Sequence, residues 1–120
     1  MAKKSILLMD GDQKFLDHMT KSLEDSGFAV QIAKDGLAGL QMVKEDTPSA
    51  AIISGSLPRC NGFIVTRLLK FDENYKMLPI ILVADDESDK ALAGQMGADV
   101  FLIKNNAEDF ISEQAKKITD

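Results

Sequence analysis

Apolar residues fall in five short blocks, and between the blocks their spacing changes to that of a helix. Ile6-Leu7-Leu8-Met9 is apolar at every position and stops at Asp10-Gly11-Asp12, which predicts a strand buried on both faces. Phe15, Leu16, Met19 and Leu23 then recur on one helical stripe, and the helix is expected to stop at Ser26-Gly27, with glycine in the usual post-helix position. Phe28 to Ile32 reads as a second strand. Leu37, Leu40 and Val43 mark a second helix that begins near Asp35 and ends before Pro48. Ala50 to Ile53 is the third strand, followed by a helix from about Phe63 to Lys70 with Ile64, Val65, Leu68 and Leu69 as its expected buried stripe. Pro79 to Val83 is the fourth strand, with proline at its first residue, where a missing N–H matters least. A charged turn, Asp85-Asp86-Glu87, leads to a short helix that carries Leu92 and Met96 and ends at Gly97. Val100 to Ile103 is the fifth strand, and the last helix has Ala107, Phe110, Ile111, Ala115 and Ile118 as its expected buried stripe.

Strands that are apolar throughout, alternating with helices, describe a parallel sheet covered on both faces. The expected fold is therefore α/β and doubly wound, with five parallel strands in the flavodoxin-like order 2-1-3-4-5 and three layers, α/β/α. One hundred and twenty residues at 45% hydrophobic suit one domain spanning residues 1–120, and no repeat, linker or low-complexity segment interrupts it. The net charge of −5 and the absence of a Lys/Arg cluster argue against a nucleic-acid surface. The single cysteine, Cys60, excludes an internal disulfide and any multi-cysteine metal site. No apolar run approaches the ~18 residues of a membrane span, and the run after Met1-Ala2-Lys3-Lys4-Ser5 is too short for a signal peptide, so a cytoplasmic location is expected.

In an open parallel sheet, ligands bind outside the carboxyl ends of the strands, where the strand order reverses. Here that point lies between strands one and three. It gathers Asp10, Gly11 and Asp12, then Ser54-Gly55-Ser56, Ala84 and Lys104. Ser54 as a nucleophile would need a base within hydrogen-bond reach, and the only histidine, His18, lies off the apolar stripe of helix one and reads as a surface residue. The segment is no Gly-x-Ser-x-Gly elbow, so no catalytic residue is assigned and an enzyme is not expected. Ser54 at the buried floor of a pocket is also a poor kinase substrate, because kinases act on extended chain. The six methionines are scattered and read as core filler.

Four stretches together resemble a response-regulator receiver domain: residues 6–10, Leu57-Pro58-Arg59-Cys60-Asn61-Gly62-Phe63, Leu78-Pro79-Ile80-Ile81, and residues 97–104 from Gly97 to Lys104. The resemblance covers essentially the whole chain. It implies that the position of Ser54 carries, in the family, the aspartate that receives a phosphoryl group. An acidic pair after strand one holds Mg²⁺ in the family, the second acid as direct ligand, and here the pair is Asp10 followed by Gly11. Two of the hard oxygen ligands that Mg²⁺ requires are thus replaced. Ala84 stands where a hydroxyl normally holds the phosphoryl oxygen, and Asn105 stands where a proline usually follows the lysine, so the family's cis peptide is not expected. Lys104 is retained. Two readings of the acids are open: Asp10 paired with Lys104 and Asp12 partly capping helix one, or a weak divalent site. Phe101 matches the family's switch aromatic, and with Ala84 in place of the hydroxyl it is read as fixed.

The implied reading is a degenerate receiver that recognises protein partners in a two-component phosphorelay without being phosphorylated, with no cofactor and no metal. Its partner is a signalling protein, and the family's face of helix four, strand five and helix five is the expected surface, for a homodimer as well. Neither nucleic acid nor a membrane is expected as a partner. Two alternatives stay open: a small-anion or small-ligand sensor using the vacated pocket, and the receiver portion of a longer regulator with an output domain.

Overall fold

The structure, a computed structural model, describes residues 3–105 and 108–120. Its elements are β1 (Ser5–Met9), α1 (Gln13–Asp25), β2 (Ala29–Ala33), α2 (Gly36–Glu45), β3 (Ala50–Ser54), α3 (Gly62–Lys70), β4 (Ile80–Ala84), a 3₁₀ turn (Glu87–Asp89), α4 (Lys90–Gln95), β5 (Val100–Ile103) and α5 (Glu108–Thr119). The strands are parallel and run in the order β2-β1-β3-β4-β5, as the hydrophobic pattern predicts.

Successive side chains on a strand point to opposite faces, so a strand that is apolar throughout feeds two cores. Ile6 and Leu8 of β1 join Leu16, Met19 and Leu23 of α1 and Ile111 and Ala115 of α5. Leu7 and Met9 join Val43 of α2, Val65 and Leu69 of α3, and Ala93 of α4. The two short central strands β3 and β4 are buried along their whole length. The edge strand β2 is largely open to solvent, so the expectation of strands apolar throughout fails there: only Ala33 is buried and Ile32 is exposed.

The helical stripes need corrections of phase. On α3 the residues against the sheet are Gly62, Val65, Thr66 and Leu69, whereas Ile64 and Leu68 face outward. The reason is the close seating of the helix on β3: a Cβ at Gly62 would lie 2.0 Å from the Ser54 carbonyl oxygen. Small residues therefore turn inward, and Thr66 satisfies its hydroxyl on the Gly62 carbonyl at 2.7 Å. The same constraint turns α2, where Gly36 and Gly39 face the core and Leu37 is exposed. Leu92 and Phe110 are likewise exposed; Ala93 is buried on α4, and Ile111, Ser112 and Ala115 are buried on α5. Ala107 lies outside the described residues.

Three helix starts are capped by short polar side chains, Asp12 for α1, Asp35 for α2 and Asn61 for α3, each accepting a backbone N–H of the first turn. At the opposite end of the sheet, Lys70 Nζ donates to Leu78 O and Asp99 Oδ2, both at 2.9 Å, and the same carboxylate oxygen accepts Ile80 N–H at 2.8 Å. That clamp ties the end of α3 to the starts of β4 and β5.

The glycine contacts give an internally controlled prediction. Gly62→Ala should lower the unfolding free energy by on the order of 3 kcal/mol, because its methyl would strike backbone that cannot move aside. Gly94→Ala on α4, with nothing within 4 Å of the added carbon, should raise it by about 0.5–1 kcal/mol. Urea titrations of both variants check the pair, and equal midpoints would contradict the close seating of α3.

Candidate functional site

Parallel pairing brings four loop starts to one rim. Asp10 follows β1, Gly55 follows β3, Asp85 follows β4 and Lys104 follows β5, and the ladder continues past the strands through Gly55 N–H to Val83 O at 2.8 Å and Lys104 N–H to Ala84 O at 2.8 Å. The registers Ser54↔Val83 and Ala84↔Ile103 fix the heights of these ends relative to one another.

The centre of the rim is an ion pair. Lys104 Nζ lies 3.0 Å from Asp10 Oδ2 and donates to Asp10 Oδ1 at 3.2 Å, while Asp12 Oδ2 is 3.9 Å from the same ammonium. Asp10 is buried, and its Oδ1 also accepts Asp12 N–H at 2.8 Å. Oδ2 is the carboxylate oxygen nearer to the ammonium and makes the ion-pair contact. The Lys104 ammonium further stands 4.7 Å over the Phe15 ring, which covers one side of it with an aromatic face. Asp12 turns its other oxygen, Oδ1, to Lys14 N–H at 3.1 Å and caps α1. Of the two readings left open by the sequence, this is the paired and capping arrangement.

Ser54 is buried at the end of β3, with its Oγ 3.4 Å from Ser56 Oγ. The β3–α3 loop is folded tightly: Cys60 N–H and Gly36 N–H both donate to Pro58 O, at 2.8 and 3.1 Å, and Arg59 sits at φ +70°. The peptide bond after Lys104 is trans.

Two clefts open beside the ion pair. One, of about 140 Å³, is lined by Gly55, Ser56, Phe63, Ala84, Asp85 and Asp89. The other, of about 310 Å³, is lined by Asp12, Lys14, Phe15, His18, Asp85, Lys104 and Asn105. Ala84 and Lys104 thus border different clefts. Asp85 lies on both rims, and beside it Asp86 accepts Ser88 N–H at 2.9 Å, a backbone hydrogen bond that holds its carboxyl below the ordinary aspartate range. The 3₁₀ turn gains from that cap at neutral pH and loses it as pH falls through the lowered carboxyl value.

Three residues shape the site that sequence reading placed only in the core or in loops. Phe15 covers Lys104. Phe63 lies across Gly55, where an added Cβ would stand 2.6 Å from the ring. The Pro58 ring packs on Gly11, 3.3 Å from where a Cβ would be. Phe101 at the middle of β5 is half-buried and packs against the α2–α3–α4 core. The face of His18 borders the larger cleft, at the solvent side of α1.

The carboxylates do not fit a divalent cation. A magnesium ion takes hard oxygen ligands and keeps near-octahedral geometry, and the oxygens of Asp10 are already engaged by an ammonium and a backbone N–H. Among the described residues no three acidic, histidine or cysteine side chains converge as a metal site.

Comparison with known proteins agrees with this architecture. The family model described as response regulator receiver domain matches residues 6–116. Response regulator MprA of Mycobacterium leprae is 30% identical over 99 residues, which are 82% of this chain and 43% of that protein, so the chain spans less than half the length of such curated relatives. Chemotaxis response regulator CheY4 of Vibrio cholerae superposes with a TM-score of 0.90 at 19% identity, covering 98% of this chain and 99% of that one. The signal receiver domain of a signal transduction histidine kinase from Syntrophus aciditrophicus gives 0.88 at 21% identity, covering 97% and 89%.

The ion pair yields a prediction about stability. Lys104→Met leaves a buried carboxylate without its cation and should cost about 3 kcal/mol, whereas adding Asp10→Ala to that variant should recover most of the loss, since removing both partners of a buried pair is close to neutral. Denaturant midpoints of the single and double variants measure the coupling, and additive losses would mean that the pair contributes no interaction of its own.

Proposed function

The chain belongs to the response regulator receiver domain family, and on that premise we propose that it works in two-component signalling as a phosphorylation-independent protein-recognition module. The observation that carries this reading is the residue at the end of β3, the buried Ser54, at the position where the family's acceptor carboxylate stands. A serine hydroxyl without a base offers neither the nucleophile of phosphoryl transfer from a histidine kinase nor a metal ligand. Gly11 and Ala84 support the same conclusion from the two neighbouring loops.

Electrostatics supports it further. In-line transfer depends on positioning and on charge stabilisation together. Lys104, the cation retained from the family pattern, is neutralised by Asp10 and approached by Asp12. The same neutralisation argues against the anion-sensor reading, because Asp10 pairs with the cation that an anion would need, Asp12 approaches it, and Asp85 lines the same cleft. On this reading the chain has no catalytic activity of its own, binds no metal or cofactor, and acts in the cytoplasm; among the described residues no helix is long and apolar enough to cross a membrane. As the chain covers 43% of the MprA relative, an output domain elsewhere in a longer regulator is compatible with this role.

Incubation with acetyl phosphate and Mg²⁺ should leave the intact mass unchanged. An adduct labile to hydroxylamine, the mark of an acyl phosphate, would refute the reading.

Rebuilding the pocket should need several changes. Gly11→Asp with Ser54→Asp supplies both carboxylates, at the cost of a shift of the Pro58 ring by a few tenths of an ångström. Calorimetric Mg²⁺ binding should appear in that double variant, and phosphorylation should stay slow until Ala84→Thr adds a hydroxyl for the phosphoryl oxygen. Ser54→Asp alone accepting phosphate at the rate of the triple variant would mean that the pocket was intact but for one residue.

A further inference from the structure

Ile64, Leu68 and Phe71 are 46, 52 and 62% exposed, although a helix packed on a sheet normally turns polar residues outward. Their spacing, i, i+4 and i+7, makes one stripe, and it lies opposite the face of α3 whose Gly62, Val65, Thr66 and Leu69 meet the sheet. Single exposed apolar side chains need no explanation, but a contiguous row of three does. None of the three belongs to either core cluster, and Phe71 touches the body of the protein beside Gly97, so most of the row's apolar surface is left to solvent.

The charge on the stripe has one sign. Arg67 lies within it, its guanidinium 4.8 Å over the Phe71 ring, and among the described residues it is in no ion pair. The acids next along the chain are engaged: Asp72 accepts Asn74 N–H at 2.8 Å and Glu73 is paired with Lys76 at 2.9 Å. A guanidinium stacked on an aromatic ring is pre-oriented as a planar fork and matches a carboxylate. We propose that the outward face of α3 docks an amphipathic helix of a partner protein whose apolar stripe is bordered by aspartate or glutamate.

A second copy of this chain fits the face less well. Antiparallel pairing about a two-fold axis that sets Ile64 of one copy against Phe71 of the other brings the two Arg67 side chains together beside the axis, in like-charge contact. A helix with acidic borders meets the same apolar row and answers the guanidinium. The surface is distinct from the α4–β5–α5 face on which the family pattern would place partners. The proposal deepens the protein-recognition reading and rests on it. Their failures are separable, since an acyl-phosphate adduct would refute that reading without reference to α3, whereas a defect confined to peptide binding would refute only this surface.

Fluorescence anisotropy with two synthetic helical peptides tests it: one of about five turns with leucine every three to four positions bordered by glutamate, and the same peptide with lysine in place of glutamate. The glutamate peptide should bind saturably, and the lysine peptide at least about tenfold more weakly. Arg67→Glu should invert that order. Leu68→Glu should abolish binding of both, with circular dichroism and the urea midpoint unchanged because the side chain is outside the core. The proposal is overturned by absent binding of the glutamate peptide, or by binding indifferent to both substitutions. A dimer in sedimentation equilibrium that Leu68→Glu dissociates would assign the face to a second copy and overturn it equally.

Discussion

Everything at the rim follows from burying a parallel sheet on both faces. Each strand must return across a helix to start again at the same edge, so all five carboxyl ends point one way and their loops share one surface. The central strands β3 and β4 have no exposed residue, which leaves the loops after them as the first places where polar side chains can stand. Ser54 and Asp10 are buried at this boundary. A polar group there needs a partner within the protein, and for Asp10 that partner is Lys104, brought from β5 across the top of the sheet. The ion pair therefore joins the first strand to the last and closes the rim electrostatically.

That closure sets the electrostatics of the rim. A lone serine at the end of β3 could coexist with a charged, receptive pocket, but here the available cation already has its counter-ion, and the neighbouring acids keep the field around it negative. The protein separates what the family pattern unites: Ala84 borders one cleft and Lys104 another, with Phe63 folded across Gly55 and Phe15 under the ammonium. Aromatic side chains fill ground on both sides of the rim.

The strand order, the alternation of elements and the meeting of Asp10, Asp12 and Lys104 were legible in the sequence, because apolar runs and loop positions determine them. The phases of the helices were less so. Ile64 and Leu68 look like half of a buried stripe when hydrophobicity alone is counted, and only the 2.0 Å approach of a Cβ at Gly62 to the Ser54 carbonyl shows why the small residues must face inward. Leu37 is turned outward by a similar close fit, with Gly36 set against the Cys60 backbone and Gly39 against the Met9 side chain. Close packing of backbone on backbone is a tertiary constraint with no periodic signature, so a single sequence conceals it. The cover provided by Phe15, Phe63 and Pro58 was hidden likewise, since each is an ordinary apolar residue until its neighbour is known.

The exchange of phase on α3 has a consequence for surface design. With glycine, valine, threonine and leucine taking the inner positions, Ile64, Leu68 and Phe71 are displaced to the solvent side, where their exposed apolar surface costs solubility. An acidic chain of net charge −5 tolerates such a row more readily than a neutral one, because repulsion between copies opposes self-association. The one strongly oriented charge on the row, Arg67, is opposite in sign to the chain as a whole. The proposed attraction to an acidic partner rests on a short stretch of one helix, on the sheet face away from α1 and α5, in a chain whose net charge is negative. Specificity of that kind needs both parts, the local cation and the general negative field, and neither requires the rim chemistry to change state.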